Sequence, residues 1–240
     1  MKISTNRTIF LRSLVTMLSM LAIVGACGLP VSTAYAQSCR PIDYGETITG
    51  QLPYGSEFCY SFSGIADGSV TIKMTKASAT LDPWLELVDP WGSTLVSDDD
   101  SAGDSNSLIS NYVLPLDGVY TIIAKSYDNA GAGNFTLQLG MPNGSWVPGT
   151  IARGQRQEYI FYGEQNAVVS IWMEKDTGSL DPWLDLMDPA GYIVASDDDG
   201  YGNSNSLISN YRLLNSGVYT IIAYGYNDAS AGTFYVLLSQ

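Results

Sequence analysis

Apolar residues recur at every second position through much of this chain. Phe58, Tyr60 and Phe62 alternate with Glu57, Cys59 and Ser61, and Val70, Ile72 and Met74 alternate with Thr71 and Lys73. Leu85 and Leu87 flank Glu86, and Phe135, Leu137 and Leu139 alternate with Thr136 and Gln138. A period of two carried by β-branched and aromatic residues predicts strands with one buried and one wet face. Residues 119–124 (VYTIIA) are apolar at both parities, which predicts a central strand. Asp89-Pro90-Trp91-Gly92 has the chemistry of a type I turn: Pro presets φ and Asp accepts from the backbone. The strand after it is predicted at residues 93–96. Roughly seven or eight short strands separated by such turns predict an antiparallel β-sandwich.

The whole pattern occurs twice. Residues 81–112, LDPWLELVDPWGSTLVSDDDSAGDSNSLISNY, return as residues 180–211, LDPWLDLMDPAGYIVASDDDGYGNSNSLISNY. The offset of 99 residues holds without a gap from Gly45/Gly144 to Leu139/Leu238. The chain is therefore all-β in expectation, with tandem sandwiches over 38–140 and 141–240 and a short linker around residues 140–144. A unit of this length can bury a core of its own.

Residues 1–36 have the form of a signal peptide. Lys2, Arg7 and Arg12 precede a short apolar run, and Ala34-Tyr35-Ala36 offers a small-x-small cleavage site before Gln37. Val24-Gly25-Ala26-Cys27 loosely resembles a bacterial lipobox, so a lipid anchor on Cys27 is the rival reading. Both expect a secreted, extracellular or periplasmic protein, and no later stretch is long and apolar enough to span a membrane. Losing the leader's three cations takes the formal charge from −13 to −16. That disfavours nucleic acid, whose binding rests on Lys/Arg contacts to phosphate. It favours solubility and cations. Cys39 and Cys59 have Gln138 and Glu158 as counterparts, so the second repeat lacks both together. A disulfide is expected, worth roughly 3 kcal/mol for a loop of about 20 residues.

The order LDPWLELVDPWG, SDDD with NSLI, DGVYTIIA and AGNFTLQL resembles a bacterial pre-peptidase C-terminal (PPC) domain. LDPWLDLMDPAG, SDDD, NSLI, SGVYTIIA and AGTFYVLL repeat the likeness. The resemblance spans nearly all of residues 45–240. It implies a jelly-roll-like β-sandwich found in secreted bacterial proteins, not itself catalytic, often beside a peptidase, and calcium-binding in some members. No peptidase domain accompanies it here.

The acidic loops are the first candidate site. Asp98, Asp99, Asp100, Asp104 and Asn106 in one repeat, and Asp197, Asp198, Asp199, Asn203 and Asn205 in the other, offer the oxygen ligands Ca²⁺ takes. Gly103 and Gly202 would let the loops curl. Flanking strands, and Ala102 and Ile109 where oxygen ligands belong, rule out an EF-hand. A solvated hairpin loop is the alternative. Asp82 and Asp181, before Pro at a strand entry, are further candidates for a metal, whereas Asp89 and Asp188 read as turn residues. Trp84 and Trp183 have the parity of Glu86 and Asp185, opposite to the leucines. With Trp91, Tyr192, Tyr201, Tyr224 and Tyr226 they are candidates for stacking on a sugar ring or a peptide; the alternative is that they cover sheet edges.

The chain has no histidine. That removes Ser-His-Asp triads, Cys-His dyads and His-ligated zinc. No Gly-rich phosphate loop follows a strand into a helix. The sequence thus reads as a secreted, non-catalytic, calcium-binding adhesion or interaction module. A structural envelope or matrix component and a carbohydrate-binding protein are the alternatives, with extracellular polysaccharide or protein as partner.

Overall fold

The computed structural model describes residues 39–226 and 230–240; the expected leader, its expected cleavage site and Cys27 lie outside them. Gln37–Gln240 form one compact unit. Its first repeat contributes β1 (Arg40–Pro41), β2 (Thr47–Leu52), β3 (Glu57–Gly64), β4 (Ser69–Lys76), β5 (Pro83–Val88), β6 (Thr94–Asp98), β7 (Ser107–Val113), β8 (Gly118–Ser126) and β9 (Gly133–Leu139). Its second contributes β10 (Trp146–Ile151), β11 (Arg156–Gly163), β12 (Val168–Gly178), β13 (Pro182–Met187), β14 (Ile193–Asp197), β15 (Ser206–Arg212), β16 (Gly217–Gly225) and β17 (Gly232–Ser239). Among the described residues no helix is long and apolar enough to cross a membrane.

Among the described residues four sheets result, and none mixes strands of the two repeats. In the first repeat the orders are β1-β3-β8-β5-β6 and β2-β9-β4-β7; in the second they are β11-β16-β13-β14 and β10-β17-β12-β15. Among the described residues every pairing between these strands is antiparallel except β1 on β3. The fold is the all-β, jelly-roll-like sandwich architecture expected, and the doubly apolar segment is central in both copies, as β8 and β16. The alternation is observed directly: Pro83, Leu85 and Leu87 of β5 are buried while Trp84, Glu86 and Val88 face outward. Inward side chains from both sheets form one core cluster per repeat, with Leu85, Tyr120, Ile72 and Leu137 in the first and Leu184, Tyr219, Ile171 and Val236 in the second.

Each core is pinned by a tyrosine. Tyr120 stacks on Phe62 at 5.6 Å and donates from its hydroxyl to Leu116 C=O at 2.8 Å. Tyr219 stacks on Phe161 at 5.5 Å and donates to Asn215 C=O at 2.9 Å. A buried ring of this size needs a partner for its hydroxyl, and the loop four residues upstream supplies it.

The repeats meet at a short junction. Gly140 N–H donates to Thr71 C=O at 2.8 Å, Met141 N–H donates to Ile160 C=O at 2.7 Å, and Asn111 Nδ2 donates to Tyr162 C=O at 3.3 Å. Tyr44 packs against both core clusters. Gly45 stands at φ +78°, where L side chains are strained, and a Cβ there would collide with the Tyr159 ring. Glycine is thus required twice over at this contact.

Candidate functional site

The acidic loops are hairpin connections held by their own side chains. The strand before each runs two residues further than predicted, into Asp98 and Asp197, because these pair opposite Leu85 and Leu184. The Asp98 carboxylate accepts from Leu108 N–H at 2.7 Å, Ser101 N–H at 3.1 Å and the Ser101 hydroxyl. Asp197 accepts from Leu207 N–H at 2.6 Å and Gly200 N–H at 2.8 Å. Asn106 Oδ1 accepts from Lys76 N–H at 2.9 Å, and Asn205 Oδ1 from Lys175 N–H at 3.0 Å, tying each loop to the facing sheet. Asp104 and Asn203 both sit at φ +53°, a left-handed conformation that Asp and Asn tolerate better than most residues. Gly103 and Gly202 curl the loops at φ +77° and +80°. Asp99 and Asp198 are half-buried, and Asp100 and Asp199 are exposed. Among the described residues no group of three acidic, His or Cys side chains converges on a point that could hold a metal. As arranged, each loop is a hydrogen-bonded turn.

Asp89 and Asp188 are turn residues, each accepting from two N–H groups: Trp91 and Ser93 in one, Ala190 and Tyr192 in the other. Asp82 has a buried Oδ1 with no hydrogen-bond partner, and Asp181 N–H donates to Ser230 Oγ at 3.1 Å. Cys39 and Cys59 are bridged, with Cα atoms 4.8 Å apart. Trp91, Tyr192 and Tyr201 are exposed in turns and loops, not on strands.

Trp84 and Trp183 lie on the outer face of the sheet that contains β8 or β16, each at the end of a row running across three strands. In the first repeat the row is Glu57–Lys125–Trp84. In the second it is Arg156–Tyr224–Trp183. Trp84 lies 5.5 Å from Tyr127, with Lys125 5.9 Å over the Trp ring and 2.7 Å from Glu86, which also accepts from Trp84 Nε1 at 3.0 Å. Trp183 lies 5.6 Å from Tyr226 and 6.0 Å from Tyr224, whose other side carries the Arg156 guanidinium at 4.0 Å. Asp185 is 7% exposed and accepts from Trp183 Nε1 at 2.8 Å, Ser196 Oγ at 2.6 Å and the Tyr224 hydroxyl at 2.8 Å. Burial first, then the hydrogen bond to Asp185, push the Tyr224 phenol up to about 12; the Arg156 charge works against this. Three donors on Asp185 orient two aromatic rings, so the carboxylate holds the surface rigid. The half-buried Trp rings and the Tyr127 and Tyr226 rings, 41% and 40% exposed, make a polar-edged aromatic patch in each repeat.

Residues 56–126 match the family model of the bacterial pre-peptidase C-terminal domain. The match covers most of the first repeat, including Trp84, the acidic loop and β8. The second repeat lies outside it and carries the same motifs through the 99-residue offset. Among curated proteins, none matches the chain. Among the similar solved structures are two of secreted or periplasmic proteins. One is Aeromonas hydrophila PliG, a periplasmic lysozyme inhibitor of g-type lysozyme, at 14% identity over 42% of this chain and 95% of that chain, with TM-score 0.33. The other is a protein from Eubacterium rectale, at 13% identity over 80% of this chain and 72% of that chain, with TM-score 0.29. At these TM-scores neither likeness carries an argument.

Sequence reasoning named both tryptophans, Tyr224 and Tyr226 as candidates, and the structure brings Trp183, Tyr224 and Tyr226 together. It missed Lys125, Tyr127, Arg156 and the collecting role of Asp185. The signal was cross-strand: Trp84 is opposite Lys125 and Trp183 is opposite Tyr224, separations of about forty residues that only the sheet order reveals.

Proposed function

We propose that this chain is an exported, non-catalytic interaction module, and that the aromatic row on the outer face of each repeat is its contact surface for neutral sugar rings. The observation that carries it is the same construction made twice: a half-buried Trp, a partly exposed Tyr against it, and a carboxylate that accepts the indole N–H. Flat aromatic faces offer large apolar contact at little conformational cost, and their edges carry polar handles for hydroxyl groups. A formal charge of −13 over the full chain favours neutral ligands over acidic ones. Export is supported by the leader-like residues 1–36 and by the Cys39–Cys59 bridge, which belongs to an oxidising compartment. The lack of histidine and the engagement of Asp185 by three donors support a non-catalytic role.

The test is calorimetric titration of the mature protein with glucose and N-acetylglucosamine oligomers, repeated on Trp84→Ala and Trp183→Ala. Two sites per chain, falling to one in each single variant and to none in the double variant, is the expected result. No binding, or binding indifferent to both changes, would remove the reading.

Calcium at the acidic loops is a subsidiary proposal. It is supported by Asp98, Asp99 and Asp100 crowding one hairpin tip, and it requires Asp99, Asp100 and Asp104 to swing towards the ion, since Asp98 is engaged by backbone donors. Thermal unfolding in EGTA and in millimolar calcium, with magnesium as control, decides it: an unchanged midpoint removes calcium and leaves the module.

A further inference from the structure

The two repeats differ in how a pair of rings closes the side of the sandwich. In the first, half-buried Phe58 of β3 packs against the core cluster and lies 6.0 Å from the Phe135 ring of the opposite sheet, tilted at 37°. The 99-residue offset puts Gln157 in place of Phe58 but keeps Phe234 in place of Phe135. The glycine beside the retained ring is kept too: Gly50 pairs opposite Phe135, and Gly149 opposite Phe234. The second repeat therefore has one ring of the pair and not the other. A groove of about 800 Å³ lies at this place, lined by Gly149, Gln155, Arg156, Gln157, Asp176 and Phe234. Under it the hydroxyl of Tyr159, a residue 1% exposed, has no hydrogen-bond partner. A Cβ on Gly149 would lie 2.6 Å from that hydroxyl and would strike the tip of the Phe234 ring, so hydroxyl and ring tip adjoin one point. At the rim Arg156 and Asp176 stand where the first repeat has Glu57 and Ala77.

We propose that this groove is a binding site for a small neutral aromatic molecule, whose ring packs on Phe234 as Phe58 packs on Phe135 and whose polar substituent meets the Tyr159 hydroxyl. The ring is argued from the chain's own template: the same phenylalanine, beside the same glycine, has a phenyl partner 99 residues earlier. Tilted and offset ring pairs gain over equal apolar area, so a flat ring suits Phe234 better than an aliphatic one. The polar substituent is argued from Tyr159, because a buried hydroxyl without a partner is costly and a ligand acceptor relieves it. Neutrality follows from a rim with one cation and one anion. The volume is that of a small-molecule site, and it leaves room for a substituent directed outward. Phe234 is 1% exposed, so the ring enters as the unbranched, half-buried Gln157 side chain rotates outward. Gln157 has the inward parity of Tyr159 and Phe161, so this site is separate from the outer row of Trp183 and does not depend on sugar binding.

The probe is 4-fluorophenol, titrated into the mature protein and followed by fluorine NMR. Fluorobenzene lacks its hydroxyl, and 4-fluorocyclohexanol lacks its aromatic ring. Saturable binding of 4-fluorophenol is expected, about tenfold tighter than that of 4-fluorocyclohexanol. Gln157→Phe, which supplies the second ring from the chain itself, should abolish it. Tyr159→Phe should weaken 4-fluorophenol about fivefold, the worth of one ordinary hydrogen bond, and leave fluorobenzene unchanged. No saturation up to the solubility of the probe, equal binding of the cyclohexanol, or binding indifferent to Gln157→Phe would each overturn the proposal. So would probe binding that is kept in Gln157→Phe and lost in Trp183→Ala, which would assign it to the outer row, or a dimer of the wild type dispersed by Gln157→Phe, which would assign the groove to a second copy. If Gln157→Phe fails to fold, nuclear Overhauser contacts decide: contacts from the 4-fluorophenol ring to Phe234 and Gly149 support the site, and contacts elsewhere overturn it.

Discussion

The two repeats use the same strands in the same order, yet they close the side of the sandwich in opposite ways. The first adds a fifth strand, a disulfide and Phe58; the second leaves β11 as an edge beside a groove. Their interiors differ far less, and where they do differ the change is compensated. In the first repeat Ser126 is buried opposite Gly131; in the second Gly225 is opposite Ser230. A Cβ at Gly131 would lie 2.5 Å from Ser126 Oγ, and one at Gly225 would strike Ser230 Oγ. One hydroxyl fills the same space from opposite sides. Close packing punishes independent change inside, while edges and outer faces are free to diverge and so hold what distinguishes the repeats.

The largest effect expected from breaking this comparison is at the disulfide. Changing Cys39 and Cys59 to Ser should cost the first repeat about 3 kcal/mol, for a loop closed over a sequence separation of 20 residues. Denaturant unfolding followed by an indole fluorophore in each repeat should show the Trp84 transition move and the Trp183 transition stay.

Next comes a change that should affect both copies alike. Asp98→Ala and Asp197→Ala each strand at least two backbone N–H donors. Each should cost about 2 kcal/mol in EGTA, with the two values within a few tenths of one another. A large inequality would mean that the loops are not built alike.

Smaller still is the buried hydroxyl swap. Gly131→Ser alone should destabilise, whereas Ser126→Gly with Gly131→Ser should restore the second repeat's arrangement. A coupling of about 1 kcal/mol is expected from the double-mutant cycle. Additive effects would show that the two sites do not share one space.

The smallest effect appears only in alkali. The Tyr224 phenol, pushed up to about 12, is held neutral by the fold. Its contribution is fully present below pH 10, where the unfolded chain's phenols are also neutral, and is lost as pH rises through about 12. Lys125 occupies that position in the first repeat, so no phenol titrates there. Phenolate absorbance should show one late-ionising tyrosine fewer in Tyr224→Phe, and that variant should lose less stability than the wild type between pH 10 and 12.

Much of this architecture was legible in the chain. Period-two apolar positions mark the strands, and the doubly apolar segment marks the central one. The joint loss of Cys39 and Cys59 from the second copy marks the bridge, because a staple works only as a pair. The acidic loops were legible as loops but not in their chemistry. Whether Asp98 faces a cation or the Leu108 N–H depends on where the returning strand runs, and Asn106 reaches Lys76, thirty residues earlier. Asp104 reads as a ligand by composition but stands at a positive φ that itself accounts for an Asp or Asn there. The parity of Trp84 was readable; the neighbours that complete its row come from β3 and β8, and no local pattern aligns those strands.

Tyr44 belongs to two cores. Whenever the first sandwich forms before strands β10 to β17 have packed, one side of the Tyr44 ring has nothing to cover it. The first sandwich then carries an adhesive spot on its surface, where premature contact competes with correct docking. The short linker narrows that hazard: Met141 already reaches Ile160, so the second sandwich assembles within reach of the ring it must shelter.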